Sequence, residues 1–166
     1  MTNRALSIVH CALKIDRYWS MQLQQPKGSP AYWLALIFTH TGDSAVWIAI
    51  AAWLWHRQQI RAARAIATTV SAIALIVMLV KVAVRRKRPG DQRDVATMTL
   101  DQHSFPSGHA ARSIGLALTL SSSAWPIGWA MIISLARVVI GVHYLSDVIA
   151  GWSIGFILGL ILRHRL

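Results

Sequence analysis

Residues 62–84 run almost unbroken through Ala, Val, Ile, Leu and Met, with Arg64 and Lys81 the only charges. As a helix rising 1.5 Å per residue, such a stretch covers roughly 34 Å, enough for the ~30 Å hydrocarbon core of a bilayer. In lipid each backbone amide has to be satisfied within its own segment, so this run is predicted to be a spanning helix. Further apolar segments occupy 31–55, 110–123, 126–140 and 145–162, the first of them interrupted by Thr39-His40-Thr41-Gly42-Asp43. Segments 110–123 and 126–140 are short for a bilayer and need extension into flanking polar residues, or local thinning. The pattern predicts an all-α polytopic membrane helical bundle of about five transmembrane helices, forming one domain over residues 1–166.

Hydrophobic residues make up 55% of the chain and charged residues only 14%, which fits membrane rather than soluble globular composition. The formal charge is +11, from seventeen Lys and Arg against six acidic residues, all of them Asp. That balance suits anionic lipid or a phosphorylated substrate. Nucleic acid is not expected, because no basic stripe falls on a soluble element. Cys11 is the only cysteine, so no internal disulfide is expected. Residues 1–24 lack the continuous apolar stretch of a cleavable signal, since Lys14, Asp16 and Arg17 interrupt it. In 5–24, Ala5, Ile8, Ala12, Ile15, Trp19 and Leu23 share one helical face, with His10, Lys14 and Arg17 roughly opposite. This predicts an amphipathic helix, either lying in the headgroup layer or packed on the bundle with its basic side wet. The turn formers of residues 24–30 end it.

Three polar clusters lie against the ends of the apolar segments: Lys81 with Arg88-Pro89, Pro106-Ser107-Gly108-His109, and Arg137 with His143 and Asp147. If each segment crosses the bilayer once, all three clusters emerge on one face. Arg57, Arg61, Arg64, Arg163 and Arg165 then fall on the other, with Trp53, Trp55, Trp125 and Trp129 as an interfacial belt. The motif face carries Arg85, Arg86, Lys87, Arg88 and Arg93 as well. Discounting cations retained to hold phosphate, the positive-inside tendency predicts an extracytoplasmic site.

Each cluster has its own chemistry. Ser107 is a natural N-cap, and the free amides after it, at Gly108 and His109, form an anion-binding helix start. An ordinary capped helix with a surface histidine fits that segment equally well. His143 and Asp147 are four apart and share a helical face, so the carboxylate can orient the imidazole and leave one nitrogen free as nucleophile. Taken alone, such a pair also serves as a helix cap. Arg137 sits near the end of an apolar segment, where a guanidinium is costly without an anionic partner. Arg85, Arg86 and Lys87 read as snorkelling anchors, and Lys81 and Arg88 stand apart from them only in company with the other clusters.

Together these residues, in this order and spacing, resemble the three-part signature of the type 2 phosphatidic acid phosphatase superfamily. That superfamily includes lipid phosphate phosphatases, undecaprenyl pyrophosphate phosphatases, glucose-6-phosphatase and vanadium haloperoxidases. The resemblance covers Lys81 to Asp147 and departs from the family at Ala136, where serine is usual. It implies that His143 attacks phosphorus to give a phosphohistidine, that Asp147 orients it, and that His109 protonates the leaving group and then activates water. It also implies that Lys81, Arg88, Ser107, Gly108 and Arg137 hold the phosphate oxygens.

The expected activity is that of an integral membrane phosphatase needing no cofactor or metal, since the few carboxylates are scattered and three cations stand in a metal's place. A polyprenyl pyrophosphate is the first choice of substrate, with phosphatidic acid or phosphatidylglycerophosphate next. A phosphotransferase using the same intermediate is the alternative; a non-enzymatic binder has no need of both histidines. Haloperoxidase activity is disfavoured because those relatives are soluble and much larger. Arg112 shares a face with His109 and is expected to reach a second phosphate, to pair with Asp94 or Asp101, or to act as an interfacial cation. His40 and Asp43 are placed outside the core site, at a kink in a single tilted span.

Overall fold

The computed structural model describes residues 3–89, 102–121 and 123–165; Arg93, Asp94 and Asp101 lie outside the described residues. Among these the chain forms seven α-helices and no strand: α1 (Asn3–Leu23), α2 (Pro30–His40), α3 (Ser44–His56), α4 (Ile60–Val84), α5 (Gly108–Leu120), α6 (Trp125–Val139) and α7 (Leu145–Arg163). Helices α4 and α7 are each long and apolar enough to cross a membrane. The pair α2 and α3, bent by about 40° at a short break, makes a third candidate if counted as one span. The interruption at residues 39–43 is therefore a kink, as its polar composition predicts. Helix α5 takes in Gly108 and His109 but ends at Leu120, so at 13 residues it is no longer than its apolar run.

Local signals explain the helix ends. Ser29 accepts the Tyr32 amide at 3.2 Å and Pro30 occupies the first turn of α2. Ser107 caps α5 through the Ala110 amide at 3.5 Å. Gly141, at φ 77°, follows the end of α6 in the left-handed region. There the amides of Val142 and His143 turn back onto the Arg137 carbonyl at 3.2 and 3.3 Å. That turn brings the His143 backbone back onto the end of α6 at Arg137.

Helix α5 is the hub. Its residues 110–117 are all buried, enclosed by α4, α6 and α7. The closest packing is against α7, where Gly151, Gly155 and Gly159 form a stripe one turn apart. A Cβ on Gly155 would run into the Ala111 carbonyl, and one on Gly151 into the Ser107 carbonyl. Small residues let two backbones approach where apolar surroundings supply little hydrophobic driving force. The consequence for function is positional, because the start of α5 lies against the start of α7. Ile73 and Val77 of α4 pack on Ala111, and Tyr32 and Ala35 of α2 pack on Ala136, Ile140 and Val142.

Candidate active site

The three clusters meet at one end of the bundle. Lys81, in the last turn of α4, is buried and donates to the His103 carbonyl at 3.0 Å. Arg88 reaches the Val142 carbonyl at 3.4 Å. The Ser107 amide donates to the Asp147 carbonyl at 2.9 Å, which ties the second cluster to the third. Ser104 closes the loop before α5 with its amide on the Arg86 carbonyl at 2.8 Å. Gly108 opens α5, and a Cβ there would make only ordinary contact with Val77 at 3.5 Å. Bundle packing therefore does not itself require glycine at 108.

His143 is buried in the turn before α7, with Arg137, Arg88, Lys81 and His109 all within electrostatic reach. Burial first, then those three cations, holds its pKa well below the ordinary histidine value of 6.5. Both effects favour the uncharged imidazole, the form in which a ring nitrogen can act as a nucleophile. Its Nδ1 lies 3.5 Å from Asp147 Oδ2, an electrostatic spacing rather than a well-formed hydrogen bond. The Asp147 carboxylate is fully buried and firmly held elsewhere. Its Oδ2 accepts the Tyr144 amide at 2.9 Å and its Oδ1 accepts Arg86 Nη1 at 2.7 Å.

The second of those partners corrects the reading of Arg86 as a snorkelling anchor. Arg85 and Lys87 are exposed as anchors should be, but Arg86 turns inward. Besides Asp147 it binds Ser146 Oγ at 2.6 Å and Asp16 Oδ2 at 2.7 Å, and its guanidinium lies 4.1 Å from the Tyr144 ring centroid. Asp16 of α1 also accepts the Ser146 amide and hydroxyl at 3.0 and 2.6 Å. Ser20 of the same helix accepts the Leu145 amide at 2.9 Å. Helix α1 thus satisfies the first amides of α7, the helix that carries Asp147. A run of four cations conceals which of them turns inward, and the anions that decide it, Asp147 and Asp16, come from distant segments.

His109 is likewise not alone. Its Nε2 lies 2.7 Å from Asp43 Oδ1, and Asp43 Oδ2 lies 2.9 Å from His40 Nδ1. The two residues placed outside the core site therefore stand in direct line with one of its histidines. Arg112 is buried and its Nε donates to the Gly42 carbonyl at 3.4 Å, so it faces the helix break.

The family model of the PAP2 superfamily matches residues 62–166, which include all three clusters. The chain belongs to the PAP2 superfamily. Its relatives include decaprenylphosphoryl-5-phosphoribose phosphatase of Mycobacterium tuberculosis, 36% identical over 52% of this chain and 51% of the relative. Undecaprenyl-diphosphatase of Sulfolobus acidocaldarius is 42% identical over 32% of this chain and 29% of the relative. The chain thus spans about half the length of the first and less of the second. A solved structure of a transmembrane PAP2-type phosphatidylglycerolphosphate phosphatase from Bacillus subtilis superposes with a TM-score of 0.75. It is 19% identical, covers 99% of this chain and 87% of its own, and shares the fold.

Membership of the PAP2 superfamily also explains what motif reasoning missed. Asp16, His40 and Asp43 precede the matched region, so no family spacing points to them. Their sequence signal was polarity inside or beside an apolar segment. The family's usual serine gives way at Ala136 to a side chain packed among Tyr32, Ala35, Ile140 and Val142, an apolar setting that suits a methyl group.

Proposed function

We propose that this protein is an integral membrane phosphatase that removes a phosphate or pyrophosphate headgroup from a lipid through a phosphohistidine on His143. The observation that carries the reading is the convergence of Lys81, Arg88 and Arg137 on a buried His143 that has His109 within electrostatic reach. Phosphoryl transfer asks mainly for in-line positioning and for charge placed around the equatorial oxygens. The three cations, with Ser107 and the Gly108 amide at the start of α5, supply that charge. His143 forms the bond to phosphorus while the bond to the leaving oxygen breaks. His109 gives that oxygen a proton and then takes one from the water that cleaves the phosphorus–nitrogen bond. Asp147 stabilises the charge that develops on His143.

The protein sits in the cell membrane as about five spans with the site on the extracytoplasmic face. Helix α1 rests in the headgroup layer, where its exposed Ile8, Ile15, Trp19 and Leu23 meet lipid while Asp16 and Ser20 dock on α7. A headgroup-level site over apolar helices suits substrates whose chains stay in the bilayer. A polyprenyl pyrophosphate is favoured, in keeping with the polyprenyl compounds in the names of the two curated relatives. Phosphatidic acid and phosphatidylglycerophosphate follow.

The test is phosphate release in detergent from undecaprenyl pyrophosphate, phosphatidate and phosphatidylglycerophosphate, with His143→Ala as control. Unchanged activity in that variant would refute the nucleophile. Turnover proceeds without a metal ion, so EDTA leaves it intact; activity lost to EDTA and restored by magnesium would overturn this part of the proposal.

A further inference from the structure

The break between α2 and α3 is a constructed element. Asp43 has the extended backbone of an N-cap for α3, φ −68° and ψ 142°, yet its side chain makes no capping hydrogen bond. Its carboxylate turns instead to His109, with His40 on the other oxygen. The break is fixed from three helices. Trp47 of α3 donates its indole N–H to the Thr41 carbonyl at 3.0 Å, and Trp129 of α6 donates to the Thr41 hydroxyl at 3.2 Å. Arg112 of α5 donates to the Gly42 carbonyl. A Cβ at Gly42 would lie 2.9 Å from Ile133 Cγ2 and 3.1 Å from His109 Cδ2, so only glycine lets the break sit this close to the imidazole.

Building on the phosphatase reading, we infer that Asp43, steadied by His40, is the positioning residue of His109. It holds the Nε2 proton on its carboxylate and leaves Nδ1 as the atom that exchanges a proton with the reacting groups. Among the described residues, the charged groups within reach of His109 are Arg137 from α6, Arg112 from its own helix and Asp43 from the break. Burial and the two cations oppose an imidazolium, and the carboxylate at 2.7 Å is the one group that favours it, opposing them only in part. In the first half of the cycle the imidazolium gives its Nδ1 proton to the leaving oxygen as the phosphorus–oxygen bond breaks. In the second half, neutral His109 takes a proton from the attacking water at Nδ1 as the phosphorus–nitrogen bond breaks. Throughout, Nε2–H stays on Asp43, and the proton given to the leaving oxygen is restored from the attacking water.

A residue that serves only proton delivery matters in proportion to how much the leaving group needs a proton. The experiment measures the single-turnover rate constant of leaving-group release from two lipid-like phosphate monoesters, one with an alkyl and one with a nitrophenyl leaving group. Asp43→Asn is expected to slow the alkyl ester by about 10²-fold and the nitrophenyl ester by no more than about threefold. In a His109→Gln background the same substitution should add no more than about twofold, because the two residues act as one unit. Rate constants, unlike amplitudes, do not depend on the fraction of correctly folded protein. Equal slowing of both esters, or no slowing of either, overturns the role of Asp43 while the phosphatase reading stands. A wild-type protein that releases neither leaving group overturns both.

Discussion

The two histidines of the site each have a carboxylate beside them, and the two pairs are built in opposite ways. His143 and Asp147 are four residues apart, both buried, and separated by 3.5 Å. Asp147 is gripped by Arg86 and the Tyr144 amide and belongs to a network that reaches α1. His109 and Asp43 are 66 residues apart, only 2.7 Å from each other, and open toward the surface through exposed His40. The proposed nucleophile is a buried imidazole held among cations, beside a carboxylate that is itself tied down. The His109 pair, by contrast, is built across the helix break and ends at the surface, with Asp43 shared between His109 and exposed His40. The same pairing of residue types is thus buried in one place and reaches the surface in the other.

Removing the proposed nucleophile should have the largest effect: His143→Ala is expected to lower phosphate release by at least about 10⁴-fold, read by phosphate release and by loss of a trapped phosphoenzyme. Next is Arg86→Ala, which removes the cation shared by the buried Asp147 and the part-exposed Asp16. A loss of about 3 kcal/mol in stability is expected, seen as a lower thermal midpoint in detergent, with kcat falling more than KM rises. Equal behaviour of Arg85→Ala would erase the distinction between the inward cation and its neighbours. Gly155→Val tests what the two sides share, because pushing α7 off α5 separates both histidines from their common phosphate. It should cost about 2–3 kcal/mol and most of the activity. Asp16→Asn acts on the nucleophile side alone, with an expected loss of about 1–2 kcal/mol and the ratio of alkyl to nitrophenyl ester rates unchanged. The smallest effect belongs to His40→Ala, a fall of about twofold to fivefold in alkyl-ester turnover, since Asp43 retains its contact with His109.

How much of this was legible in sequence varied with distance along the chain. The helices were readable because hydrophobic periodicity and capping are local, as the fit of α4 and the Ser107 cap show. His143 and Asp147 were readable as a pair because their spacing within one turn is itself geometric information. The sidedness of the clusters followed from counting segments, and family spacing singled out Lys81, Arg88 and Arg137. Arg86 was misread because its role is set by Asp16, 70 positions away. Asp43 was set aside because polarity at a kink says nothing about which helix the kink will face.

By itself, the sequence determined an all-helical bundle of apolar segments with its polar clusters at helix ends, because backbone satisfaction in an apolar setting leaves few alternatives. Tertiary structure decided which charges meet. The glycine stripe of α7 sets the start of α5 against the start of α7, and the turn at Gly141 brings the His143 backbone back onto Arg137. The kink between α2 and α3 brings Asp43 to His109, and α1 lends Asp16 to Arg86. A buried charge takes the partner that packing brings within 3 Å of it, and packing is a property of surfaces that meet in space rather than of neighbours in the chain.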